Sequence, residues 1–436
     1  RDGGEWFVFN PRGLRKVMEL GGWTSRSRRV CCASATFTGW TGSTGPAFAA
    51  GRARSSRAGL MAELWRASEH EPLAGVEWSE ARAEEAIAAI VADAEAAFDG
   101  SRWPFHPADE VDDGPNAVYL GVAGMAWALH ELGSTGWGDA VLGALERYRR
   151  KPDLGEEWAY APSYLAGECG IAVVGYRMTG DAGLADRVHE LVLANLEDEW
   201  NELLWGAPGS LLAAEAMLAW TGEQRWETAW DALADHVEAS RDADGLWTQR
   251  LGREVDRYLG PAHGYAGNVR ALANRRPVRL ADLSAYMLRE DGLANWLPRE
   301  GSRPDEIRVQ WCHGAPGMVA ALGDLLDLDV ALAGGELTWQ AGPLAKGSNL
   351  CHGTAGNAYA FLVLHRRTRD ELWLDRARAF AMHAIGQVER ERASLGRGRY
   401  SLFTGDVGVA LFLRHLLDGD DRFPTMGPFG AAATSL

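Results

Sequence analysis

Cysteine is scarce in this chain: five among 436 residues, too few to staple a fold of that size. Cys31 and Cys32 are adjacent, and the others are Cys169, Cys312 and Cys351. Such usage fits a reducing, cytoplasmic setting in which thiols bind metal or react, rather than a secreted disulfide scaffold. Long apolar runs are missing as well. The greasiest stretches, near 86–98 and 318–333, are broken by Asp93, Glu95, Asp324 and Asp327. No transmembrane segment is therefore expected, since a spanning helix needs about 20 apolar residues. Positive charge is in short supply too, with 44 Lys and Arg against 60 Asp and Glu and a net charge of −16. Ten of those basic residues fall in 1–60 against three acids, which leaves 34 against 57 in the rest. A body so acidic makes no nucleic-acid partner and repels an anionic membrane surface. Acidic outer helices suit a soluble monomer.

Residues 1–60 are rich in Arg, Ser, Gly and Thr and have no hydrophobic period. They read as a targeting segment, a flexible tail, or sequence upstream of a start at Met61. They stand apart from the domain expected over 61–436.

Within that domain two kinds of segment alternate. One is an amphipathic helix, with apolar residues at i, i+3, i+4 and i+7. Residues 80–98 carry Ile87, Ile90, Val91, Ala94 and Phe98 behind Ser79, a good N-cap. Residues 223–240 carry Trp226, Ala229, Trp230, Leu233 and Val237, and 371–390 carry Leu374, Ala377, Ala381, Ala384 and Val388. The other kind opens on Gly-x-x-Gly and continues as a mostly apolar run. The pairs are Gly121/Gly124, Gly167/Gly170, Gly206/Gly209, Gly264/Gly267, Gly314/Gly317, Gly353/Gly356 and Gly405/Gly408. In a chain with 52 glycines one pair means little, but seven in the same context make a repeat.

Helices apolar on nearly every side must be buried, and amphipathic ones can cover them. The expected fold is all-α, an α/α toroid of seven helical hairpins around a central cavity. Closure would aim seven glycine-led helix starts, each with free N–H groups, at one mouth.

Three of those starts carry chemistry. Residues 311–317 read WCHGAPG, 350–356 read LCHGTAG and 260–267 read GPAHGYAG. Cys312, His313, Cys351, His352 and His263 would thus converge, and Cys, Cys and His on zinc is a known catalytic donor set with an open fourth position. A lone Cys-His pair is more often core packing; repetition in register favours a site. Cys169 follows its first glycine, has no histidine beside it, and reads as packing.

The WCHGAPG and LCHGTAGNAYAFL segments resemble the lanthionine synthetase C-like family. So does SLFTGDVGVALFL at 401–413 followed by RFP at 422–424. The resemblance covers about residues 80–430 and is closer to the eukaryotic-type LanC-like branch than to the lanthipeptide cyclases. It implies an α/α toroid with one zinc ion on Cys312, Cys351 and His352. It also implies an active-site His263, with Glu202 where the cyclases have Asp, and with Arg308 four residues before the first zinc cysteine. Lys346 matches a lysine that contacts glutathione in the LanC-like branch, and His313 replaces the Tyr usual in cyclases. The implied enzyme adds a thiol, glutathione or a similar one, to dehydroalanine or dehydrobutyrine in a peptide or protein. The alternatives are a lanthipeptide cyclase that closes thioether rings within one peptide, and a non-enzymatic zinc-stabilised scaffold or receptor. A two-carboxylate glycosidase on a similar ring is disfavoured, because no pair of carboxylates stands beside the glycine turns.

Overall fold

The second glycine of every pair answers to one steric constraint. A methyl group on Gly356 would lie 1.8 Å from the carbonyl oxygen of Leu350, and one on Gly317 would lie 1.7 Å from that of Trp311. The same clash with the residue six places back recurs at the other five pairs. Each turn folds back so closely on its helix that only a residue without Cβ fits.

The computed structural model describes residues 63–109, 114–155, 158–251, 254–303 and 306–427; the expectations for residues 1–60 lie outside them. Seven helices start at the first glycine of a pair. They are α2 (Val122–Glu131), α4 (Glu168–Thr179), α6 (Ala207–Thr221), α8 (Tyr265–Ala273), α9 (Ala315–Leu322), α11 (Thr354–Thr368) and α13 (Asp406–Asp418). Each is buried over most of its length. Each touches the next around the molecule, and α13 touches α2, so the inner helices close a ring.

Six helices lie outside: α1 (Glu80–Ala97), α3 (Gly138–Arg150), α5 (Ala182–Ala194), α7 (Gln224–Ala239), α10 (Leu328–Ala341) and α12 (Glu371–Leu395). Their buried faces follow the 3.6-residue period. Trp226, Ala229, Trp230, Leu233 and Val237 are all buried on α7, and Ser79 caps α1 by accepting from the Arg82 N–H at 3.2 Å. In α1 and α12 the stripe is displaced slightly. Val91, Phe98 and Leu374 are only half-buried, while Ala83, Trp373 and Phe380 are buried instead. The first outer helix covers the last inner one, since α1 packs on α13 and completes the seventh hairpin.

The fourth repeat departs from the expected pattern. After α8 the chain forms no outer helix but an antiparallel pair, β3 (Met287–Glu290) with β4 (Leu293–Trp296). Asp291 and Gly292 turn between them with φ of 48° and 82°, the left-handed pair that a two-residue hairpin requires. Pro277 and Pro298 bracket a stretch without helical period. Strand β4 is wholly buried and packs against α10, where Trp296 lies beside Gly334. A second pair, β1 (Gln249–Leu251) with β2 (Glu254–Asp256), precedes the fourth turn.

Candidate active site

Backbone hydrogen bonds tie the turns to one another at a fixed register, two residues before the first glycine. Cys312 N–H donates to Cys351 C=O at 3.1 Å, Cys351 to Phe403 at 2.9 Å, and Phe403 to Tyr119 at 3.3 Å. Tyr119 donates to Leu165 at 2.8 Å and Leu165 to Leu204 at 3.4 Å. Among the described residues no such bond joins Leu204 to Ala262 or Ala262 to Cys312. Five links of seven therefore form a belt, and it is open around the fourth turn.

The thiols lie on the belt. Cys312 and Cys351 are buried side by side, close enough for their thiols to hydrogen-bond and to govern each other's ionisation. Gln310 Nε2 donates to Cys312 Sγ at 3.0 Å, and Tyr119 Oη donates to Cys351 Sγ at 2.9 Å. Burial opposes ionisation of Cys312. The bond with Cys351, the Lys346 charge and the Gln310 amide outweigh it and hold this thiol below its usual value. Cys351, beside that sulfur and buried, is pushed well up. His352 is buried at the next position; burial and the nearby Lys346 and Arg399 lower its pKa to about 3. Its backbone N–H is held by Asn349 Oδ1 at 3.0 Å.

The imidazoles lie at the opening. His263 Nδ1 pairs with Glu202 Oε2 at 3.0 Å. Glu202 is fully buried and also accepts the N–H groups of Leu204 at 3.0 Å and Trp205 at 2.5 Å. The carboxylate thus takes the very N–H that would have carried the belt onward. The His263 ring stacks on Trp205 at 6.2 Å and on His313 at 6.4 Å, with Tyr258 at 6.1 Å. Burial, and then the neighbouring His263, Arg308 and Lys346, lower the His313 pKa to about 3, so this ring is neutral near pH 7. Arg308 donates to Ile307 C=O at 2.9 Å and lies 3.6 Å from Glu69 Oε1. Lys346 Nζ donates to Gln310 Oε1 at 3.0 Å, and burial lowers its pKa.

The structure thus joins Glu202 to His263, His263 to His313, and Cys312 to Cys351, with Lys346 reaching the thiols through Gln310. It packs Cys169 in the core, as expected. Gln310, Tyr119, Trp205 and Tyr258 were not foreseen. Register could have found three of them. Tyr119 is two places before its glycine, as the cysteines are; Trp205 is one place before, like the histidines; and Gln310 is four places before, like Glu202.

A zinc ion suits this donor set on chemical grounds: two sulfurs already in contact, an imidazole on the adjoining residue, and a hydrogen-bond donor on each sulfur. Among the described residues, no three His, Cys, Asp or Glu side chains are gathered into a ready-made cage.

A closed ring of hairpins with a buried thiol pair and an imidazole–carboxylate pair at its glycine turns defines an α/α toroid whose chemistry-bearing side chains gather at those turns. The chain belongs to the lanthionine synthetase C-like family, whose model matches residues 112–427. It is similar to the zebrafish (Danio rerio) protein named glutathione S-transferase LANCL1, with 35% identity over 178 residues, 37% of this chain and 44% of that one. It is also similar to LanC-like protein GCL1 of Arabidopsis thaliana, with 34% identity over 256 residues, 51% of this chain and 57% of that one. The chain spans about half the length of these curated relatives. Among solved structures, nisin cyclase superposes with a TM-score of 0.53 over 79% of this chain and 96% of its own; at 15% identity this likeness shows the fold.

Proposed function

We propose that the chain binds one zinc ion on Cys312, Cys351 and His352 and adds a thiol, glutathione or a similar one, to dehydroalanine or dehydrobutyrine in a peptide or protein. The observation that carries this reading is the contact between the two buried thiols, one residue away from a ring that stacks on the Glu202-held His263. A relative named as a glutathione S-transferase supports the choice of thiol.

Bound zinc would supply one thing, a substrate thiol held as its reactive thiolate at neutral pH. The rest falls to the chain. The sulfur bonds to the β-carbon, the double-bond electrons shift toward the carbonyl, and the α-carbon takes up a proton. The thiol's own proton balances that uptake, so nothing leaves. His263 is the proton carrier, because an imidazole can both take up and give back a proton and Glu202 holds this one in place. Glu202 grips Nδ1, which directs Nε2 to the substrate and stabilises the charged ring. Arg308 offers its guanidinium to the oxygen on which negative charge develops. Lys346 receives a carboxylate of glutathione.

Elemental analysis of the purified chain should give close to one zinc per protein. A dehydroalanine peptide incubated with glutathione should gain the mass of one glutathione. A peptide with its own cysteine that closes a ring with no mass gain would instead make the chain a cyclase. Zinc with neither product would leave a zinc-stabilised scaffold, and no zinc would sink the mechanism.

A further inference from the structure

The residue four places before the first glycine reaches out of its own turn in three of the repeats. Ser163 Oγ donates to Leu204 C=O in the next turn at 2.7 Å. Glu202 holds His263 in the next turn at 3.0 Å. Gln310 Oε1 accepts from Lys346, which leads into the next turn, at 3.0 Å. Gln310 does one thing more, since its Nε2 donates to Cys312 Sγ at 3.0 Å. An amide has one acceptor oxygen and one donor nitrogen at its tip, and here the ammonium takes the first and the sulfur the second. The orientation is therefore dictated by its partners. The side chain is buried, and its backbone is pinned by a reciprocal pair of 3.1 Å hydrogen bonds with His313.

We propose that Gln310 is a positioning residue, which fixes the Cys312 sulfur for metal binding and links it to Lys346. This rests on the zinc reading above and extends it to a residue in neither the donor set nor the proton-transfer pair. Outer partners of this kind typically set metal affinity within a factor of 10 to 100. Lys346 then has a second task, acting on the sulfur through the amide. Its three donors let it hold Gln310 and still meet a carboxylate.

The test is zinc affinity of the full chain, measured by competition with a chromophoric chelator, alongside thermal unfolding. Gln310→Leu should weaken zinc binding about 10- to 100-fold with little change in the melting temperature of the zinc-free protein. Lys346→Met should weaken it about 3- to 10-fold. The double variant should lose less than the sum of the two single losses, because part of the lysine's effect on the sulfur passes through the amide. Should Gln310→Leu fail to fold, Gln310→Asn keeps the amide on a shorter arm and must still lose affinity. Wild-type affinity in either Gln310 variant, or additive losses in the double variant, overturns the proposal while the zinc reading stands. Absence of zinc from the wild-type chain overturns both.

Discussion

Two arcs of the same ring solve the same packing problem differently. From the fifth turn through the seventh and on to the third, each turn hands an N–H to the next, and both thiols sit on this belt. Around the fourth turn the belt stops. There Glu202 absorbs the Leu204 N–H, a strand pair replaces the outer helix, and the rings of His263 and His313 lie near-parallel with centroids 6.4 Å apart. The thiols, with His352 beside them, are thus set in the most regular backbone of the molecule, and the pair of Glu202 and His263 in the least regular. A metal site gains from ligands held fixed before binding.

Substitutions that separate the arcs test this division. The largest effect should come from the belt: Cys351→Ala should take bound zinc from near one per chain to near none and abolish adduct formation, read by elemental analysis and mass spectrometry. At the opening, His263→Asn should retain zinc and lose about 10²- to 10⁴-fold in kcat/KM. Loss of zinc in that variant would show that the arcs do not divide the labour.

Gly356→Ala sets a methyl against the Leu350 carbonyl and should cost at least about 3 kcal/mol by denaturant titration. A smaller change is expected at Asp406, which heads α13. Burial above all raises its pKa from 3.8 to about 7. The folded protein therefore keeps a proton there that the unfolded chain releases, and stability falls as pH rises from about 4 to about 7. Asp406→Asn cannot ionise, so it should gain on the wild type by about 2 to 3 kcal/mol between pH 5 and pH 8. Arg250 and Glu199 pair at 3.0 Å in the open, and Arg250→Ala should shift stability by less than about 0.5 kcal/mol.

The regular arc was the legible one. Seven glycine pairs gave the repeat, and all five residues of the α7 sequence stripe are buried, with Ala234 beside them, because the stripe follows the 3.6-residue period. The fourth repeat was expected to be a helical hairpin like the rest. Asp291-Gly292 between apolar stretches is a strand-turn signal that counting repeats passes over. At the site, Cys312, Cys351 and His263 stood out by residue type. Gln310 and Tyr119 did not, because an amide or a phenol gains meaning only from the sulfur it touches. The partners lie far apart in sequence, with Tyr119 and Cys351 separated by 232 positions. Only alignment of the turns, position by position, could have paired them.

Closure by α1 on α13 and by the Phe403–Tyr119 bond has a consequence for how the molecule comes apart. In an open array of repeats the outermost units fray first, because each has a single neighbour, and stability can be lost piecemeal. Here every inner helix is flanked on both sides, so loosening any one of them breaks two interfaces at once. Heat or denaturant should therefore find no end to peel, and the helices should melt in one cooperative step.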